Sequence, residues 1–229
     1  YASTNSNSKS FNPRRPELGR TSLSNSLVQS ESETNRWVWD NQVSYVKSFG
    51  KSNLNLTAIY SAQLEKFESL SQRGEEFSNE ASFNQYLGNA TIFKTPISSA
   101  YEEALTSSIG RVMYNYDSKY FASGSVRRDE TSRLFIENQS GVFYSATLGW
   151  KISNEDFFKS NLIDNLKIRA SWGQIGNVNS VNRYSFNVPL RSNTVLLGEG
   201  ATDNNKALYQ EIQSNEGLGW ERSESIDFG

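Results

Sequence analysis

The chain has 229 residues, no cysteine and no histidine, and carries 23 Lys and Arg against 25 Asp and Glu. Lacking both residues, it has no disulfide framework, no thiolate or imidazole metal ligand, and no Ser-His-Asp or Cys-His mechanism of its own. A near-neutral balance with an isoelectric point of about 5.4 denies it the basic face that nucleic acid requires. Aromatic residues are 13% of the chain, yet mean hydropathy is −0.63; that pairing suits a sheet with one apolar and one wet face. No run approaches the roughly 18 apolar residues of a transmembrane helix. Residues 1–8 lack the basic and apolar regions of a signal peptide, and the opening and closing residues read as those of a piece of something larger.

Residues 1–35, rich in Ser and Asn with Pro13, Pro16 and the basic pair Arg14-Arg15, are expected to be a loop or tail; residues 36–229 are expected to hold strands and their loops. From 36 to 46 the period becomes two, with Trp37, Trp39, Val43 and Tyr45 on one phase. The alternation resumes at Leu54, Leu56, Ala58, Tyr60, Ala62 and Leu64, so the two runs around Gly50 predict a hairpin. Residues 66–103 read as a long loop with helix-compatible patches at 82–87 and 99–105. A second hairpin is expected at 107–116 and 120–129 around Asp117-Ser118-Lys119. The cleanest arms follow: Val142, Tyr144, Ala146, Leu148, Trp150 and Ile152, then Leu166, Ile168, Ala170 and Trp172, with a helical turn between them at 154–165. A second long loop is read at 176–219, with a small hairpin at 184–190. A last arm begins at Trp220.

These make seven long arms joined by connections that run short, long, short, medium, medium, long, with short turns toward one end and long loops toward the other. That is the signature of an antiparallel transmembrane β-barrel, which survives in hydrocarbon because its ladders satisfy every backbone group and one face is apolar. Seven arms cannot close, so the expected fold is all-β: a barrel segment with long outer loops. With the long loops outside, Trp37, Trp172 and Trp220 fall near the outer rim, and Tyr45 and Trp150 near the short-turn rim, as an interfacial girdle in contact with outer-membrane lipid. The competing arrangement is an aqueous sandwich with these rings on its inner face.

Six blocks then carry a family likeness: residues 110–116 with Lys119-Tyr120-Phe121; Ser125-Val126-Arg127-Arg128-Asp129 with Ser132-Arg133; residues 141–145; residues 148–157; residues 166–177; and residues 215–221. In order and spacing they resemble the SusC/RagA family of TonB-linked outer-membrane transporters, including its S-x-R-x-D-x-S-S-R-F and N-P-x-L-x-W-E runs. Glu130-Thr131, Tyr144 and Glu216-Gly217 depart from the family pattern at turns and loops. The resemblance implies that these are strands from the middle of a barrel of about 22. It implies an importer of oligosaccharides or peptides in the outer membrane, capped by a SusD-like surface lipoprotein and energised through TonB by way of a plug outside these residues. No cofactor is implied.

The adjacent acids Glu75-Glu76, Glu102-Glu103, Asp129-Glu130 and Glu155-Asp156 point apart or into solvent, unlike the opposed carboxylates of a glycosidase, and no calcium-loop run is present. Neither catalytic residues nor metal ligands are therefore assigned. Arg127 and Asp129 share a phase with Ser123 and Ser125 and are expected to face the lumen, as are Lys151, Lys167 and Arg169; these charges suit either contacts with a plug or a polar track for substrate. Tyr86, Tyr101, Tyr184, Phe186 and Tyr209, with Phe93, lie in the expected loops as stacking surfaces for substrate or partner, or as rings packed within the loop itself. The rival function is a soluble, aromatic-rich β-sandwich adhesin or binding protein, or a small passive barrel.

Overall fold

In the computed structural model the described residues are 1–14, 24–159, 162–187, 190–197, 203–210 and 214–229. The strands are β1 (Ala2–Asn12), β2 (Ser26–Phe49), β3 (Ser52–Phe77), β4 (Ala90–Phe93), β5 (Ile97–Tyr116), β6 (Tyr120–Thr131), β7 (Ser140–Lys151), β8 (Lys167–Asn177), β9 (Leu190–Leu197), β10 (Asp203–Gln210) and β11 (Glu221–Phe228). Backbone pairing follows the order β1-β2-β3-β5-β6-β7-β8-β11, with β4 added to β3 and β9 paired with β10 as a separate hairpin. All seven expected arms are strands, and the pairing path is open, ending at β1 and β11. The chain divides into two compact units, residues 1–38 with 63–103 and residues 39–62 with 104–229.

In the first unit β1 lies antiparallel to the start of β2, from Ala2↔Arg36 to Asn12↔Ser26. Residues 1–35, expected as loop, thus hold a strand and the beginning of another; Arg15 and Pro16 of that tract lie outside the described residues. β1 is Ser, Asn, Thr and Lys on both faces, so it has no hydropathy alternation, and the backbone ladder alone defines it. The expected loop at 66–103 is likewise shortened. β3 runs on to Phe77 and β5 starts at Ile97, turning the patch at 99–105 into strand. Ion pairs Lys66–Glu102 at 2.7 Å and Lys94–Glu75 at 3.1 Å accompany strands whose both faces are wet.

This unit has a small core of Leu27, Phe77 and Ala90, with Phe11 and Leu87 against it. Phe11 meets Phe77 edge-on at 5.5 Å. Asn25 fastens the core: its Nδ2 donates to the Phe77 carbonyl at 2.9 Å, and its Oδ1 accepts the Phe77 N–H at 2.6 Å. One side chain thereby acts as a backbone pairing partner for both polar groups of a buried residue. Asn25→Ala is expected to leave both groups unsatisfied, at about 1–3 kcal/mol each. Hydrogen exchange at the Phe77 amide should accelerate; an unchanged rate would show that the pairing contributes nothing.

In the second unit β5, β6, β7, β8 and β11 pair antiparallel in continuous register. Gly50 turns β2 into β3 at φ +57°, a left-handed conformation that glycine adopts without strain. Asp117, Ser118 and Lys119 turn β5 into β6 between the paired Tyr116 and Tyr120, with Asp117 and Ser118 in the left-handed region at φ 52° and 54° and the Lys119 N–H donating to the Tyr116 carbonyl at 2.9 Å. The Asn115 Oδ1 accepts the Ser118 N–H at 3.1 Å, and Lys51 clamps Asp117 at 2.7 Å. Between β7 and β8 a 3₁₀ turn forms at Ile152–Asn154, ahead of the helical turn expected at 154–165; the described residues 155–159 and 162–165 are in no helix, and 160–161 lie outside the description. The small hairpin of the second long loop is β9–β10 and not residues 184–190, where 183–186 form a turn; residues 188–189 lie outside the description. Its polar sequence Asp203–Gln210 carries no apolar phase to mark it.

Candidate functional site

Side chains alternate across a strand, so the cross-strand registers sort the second unit into rows. One face carries Tyr116–Tyr120–Trp150–Ile168, then Tyr114–Ala122–Leu148–Ala170–Phe228, then Val112–Gly124–Ala146–Trp172–Ile226. The other carries Lys151–Lys167, Asn115–Phe121–Gly149–Arg169, Met113–Ser123–Thr147–Ser171–Asp227, Arg111–Ser125–Ser145–Gly173–Ser225, and Ile109–Arg127–Phe143. The apolar rows carry large exposed side chains: Leu148 is 64%, Ile168 53% and Ile226 65% exposed. Water would penalise such a band by roughly 25 cal/mol per Å² of apolar surface, whereas hydrocarbon does not. Among the described residues no second sheet layer covers it; the two-stranded β9–β10 hairpin is the other sheet.

At the short-turn end the rings form a chain. Tyr116 stacks with Tyr120 at 6.4 Å, Tyr120 with Trp150 at 6.5 Å, and Trp150 meets Phe157 edge-on at 6.4 Å. Glu155 holds this cluster, accepting from the Tyr120 hydroxyl at 2.6 Å, the Trp150 indole N–H at 3.0 Å and Lys119 at 3.0 Å. The hydrogen bond from Tyr120, then those from Trp150 and Lys119, draw its carboxyl down from 4.5 to about 2. In the sequence Glu155 is one of two adjacent acids expected to be solvated; what marks it is its place five residues beyond the strand-end Trp150. A depressed carboxyl contributes stability above its unfolded value, and that contribution is lost as pH falls from about 4.5 through about 2. Glu155→Gln should therefore flatten the pH dependence of unfolding within that window, read by tryptophan emission across an acid titration. An unaltered titration would remove Glu155 from the cluster's support.

The other proposed girdle rings are differently placed. Trp37 and Tyr45 stand exposed on β2, and Trp172 is half-buried in the third apolar row. Trp220 precedes β11; its indole N–H donates to the Gln139 carbonyl at 3.0 Å and its ring meets Phe143 at 5.5 Å. Gly141 and Gly176 complete that contact. A methyl on Gly141 would come 2.7 Å from Phe143 Cζ and 3.0 Å from the indole, and one on Gly176 would overlap the Phe143 ring. This interlock was not legible in the sequence, because its members sit on three separate segments.

Of the charged candidates, Arg127 and Asp129 form one group. Arg127 Nε donates to both carboxylate oxygens at 2.8 and 2.7 Å, and Nη2 reaches Ser107 Oγ at 3.3 Å, with Asp129 6% exposed. Lys151, Lys167 and Arg169 form a second group on the same face, Lys167 lying 4.3 Å above the Phe121 ring. The two rows beginning Met113 and Arg111 separate the groups.

The loop aromatics are not gathered into one surface. Tyr86 lies under Lys9 at 4.4 Å. Tyr101 is a strand residue of β5, stacked on Phe67 at 5.0 Å with its hydroxyl donating to Glu65 at 2.9 Å. Tyr184 and Phe186 share a turn, and Phe186 packs near Phe135 at 6.1 Å. Tyr209 is on β10, opposite Arg191, and Phe93 is exposed on β4.

No protein-family model matches the chain. The TonB-dependent receptor P3 of Formosa agariphila is 34% identical over 192 residues, covering 83% of this chain and 19% of that protein. The TonB-dependent receptor SusC of Bacteroides thetaiotaomicron is 32% identical over 139 residues, 57% of this chain and 14% of that protein. The chain thus spans about a fifth or less of the curated relatives it matches. Among solved structures, the RagAB peptide importer in its closed-closed state superposes with a TM-score of 0.83 over 99% of this chain and 24% of that chain; at 21% identity the likeness is one of fold.

Proposed function

We infer that this chain, a β-barrel segment of a SusC/RagA-like TonB-dependent outer-membrane receptor, forms part of the wall of an energised importer for oligosaccharides or peptides. The observation that carries the reading is the pair of faces: apolar rows ending in Ile168, Phe228 and Ile226 on one side, Ser, Thr, Asn and cationic rows on the other. A lipid-facing exterior and a wet lumen ask for that arrangement. Transport, not catalysis, is the activity of such receptors, and the wall's part in it is to enclose the path. Its partners are a SusD-like lipoprotein closing the outer mouth and TonB acting from the periplasm on a plug. Trp37, Tyr45, Trp150, Trp172 and Trp220 serve as interfacial rings. Arg127, Asp129, Lys151, Lys167 and Arg169 face the lumen, and Tyr86, Tyr101, Tyr184, Phe186 and Tyr209 are contacts for substrate or lipoprotein.

The test is to raise an antibody to this segment and to blot outer-membrane and soluble fractions of the source cells. A band several times 25.8 kDa in the outer membrane, shifting in mobility on boiling, is expected. Deleting the receptor should then abolish growth on one polymeric carbon or peptide source and leave growth on its monomers intact. A soluble band near 25.8 kDa would restore the β-sandwich adhesin.

A further inference from the structure

Just inside the short-turn rim the apolar face of the second unit is hollow. Tyr114, Tyr120, Leu148 and Trp150 stand around Ala122 and Ala170 in an open groove of about 370 Å³. All six belong to the two apolar rows nearest the turns, and the groove forms because methyl groups alternate there with large side chains. A hollow of this kind forfeits dispersion contacts unless an apolar chain lies in it.

The turn end of the groove is charged. Tyr120 and Trp150, two of its walls, both donate to Glu155. Lys119 lies 3.0 Å from Glu155 and 3.9 Å from Asp117, and Asp117 lies 2.7 Å from the exposed Lys51. Tyr114, a third wall, is tied at 2.8 Å to Ser52, the neighbour of Lys51. Asp156 is exposed and acts electrostatically on Lys119, yet among the described residues it forms no ion pair. The cluster thus joins two lysines to three acids.

We propose that the groove and its charged end bind one phospholipid of the periplasmic leaflet that carries an amino headgroup, a phosphatidylethanolamine. An acyl chain lies over Ala122, the phosphate meets Lys51, and the ammonium meets Asp156. The inference rests on the reading of this chain as a barrel wall and adds a defined lipid site to it. Two features select the occupant. The groove opens on the hydrocarbon side of the aromatic row, at the end where short turns face the periplasm, so an acyl chain reaches it and a solute in the lumen does not. The surplus acid disfavours a headgroup carrying only phosphate and favours one that brings its own cation. The Phe157 ring, exposed against Trp150, adds an aromatic face to which an ammonium is attracted.

Full-length receptor reconstituted in bilayers supplies the test. A mobility shift on boiling first establishes the barrel; without it the wall reading falls, and this proposal with it. The bilayers carry a trace of phosphatidylethanolamine with a photoreactive diazirine on one acyl chain, and the cross-linked peptides are mapped. Label is expected to concentrate on residues 114–122, 148–150 and 168–170. Unlabelled phosphatidylethanolamine should compete at least about tenfold better than phosphatidylglycerol of the same chains, the worth of one charge-assisted pair. Ala122→Phe should abolish the concentrated label by filling the groove, and Ala146→Phe, one row further out on the same face, should leave it. Asp156→Asn should keep the label and remove the preference between headgroups. Label spread evenly over the lipid-facing strands, equal competition by the two lipids, or a preference unchanged in Asp156→Asn overturns the proposal.

Discussion

Ala146→Arg is expected to cost the folded barrel about 2–4 kcal/mol, while Thr147→Arg, its immediate neighbour, changes stability by less than about 1 kcal/mol. Ala146 lies in the row Val112–Gly124–Ala146–Trp172–Ile226, two rows in from the aromatic row that holds Trp150. Four residues of strand at about 3.3 Å each, tilted as in a barrel, put it near the middle of an apolar band about 25 Å tall, where an arginine costs that much. Thr147 projects from the opposite face beside Ser123 and Ser171, where a guanidinium keeps its water. Both variants are compared in the full-length receptor by the fraction that retains its unboiled mobility across a urea series. Equal effects would deny the two faces their different solvents. A soluble sheet gives near-equal effects, so the pair also separates the importer from the adhesin.

Phe143→Ala carries the second large effect, a loss of about 3–5 kcal/mol, as for other buried phenylalanines truncated to alanine. Phe143 is 4% exposed, and its ring fills the space left by Gly141 and Gly176 beneath Trp220. The Arg222 guanidinium lies 5.6 Å from the ring, so truncation loosens the approach to β11 as well as β7. The urea midpoint should fall, and the Trp220 emission should shift to the red because its ring loses its edge contact. Phe143→Leu, which keeps most of the volume, should lose much less. A midpoint unmoved by the alanine variant would mean that the interlock adds no stability.

Much of the wall was legible from local chemistry. The alternation Val142, Tyr144, Ala146, Leu148, Trp150 against Phe143, Ser145, Thr147, Gly149, Lys151 defines β7 before any partner is known, because the pleat sends successive residues to opposite faces whatever lies alongside. Asp117-Ser118 and Gly50 mark turns for an equally local reason. β1 and the outer part of β3 escaped because both of their faces are wet: with no apolar phase, only the hydrogen bonds to β2 and β4 define them. β9 and β10 escaped because neither segment alternates between apolar and polar residues.

The sequence by itself determined the strand character of the arms, the sidedness of each, the turn positions and the likeness to a transporter family. These follow from the two-residue repeat of the backbone and from residue types at fixed short spacings. Only the tertiary structure decided which rows align across strands. Through register it set Lys151 against Lys167, neutralised Arg127 with Asp129, collected Tyr120, Trp150 and Lys119 on Glu155, and seated Phe143 between two glycines. Pairing partners lie tens of residues apart, and a shift of one residue would exchange every face. No local pattern encodes that choice; the sum of the contacts along each pair of strands makes it.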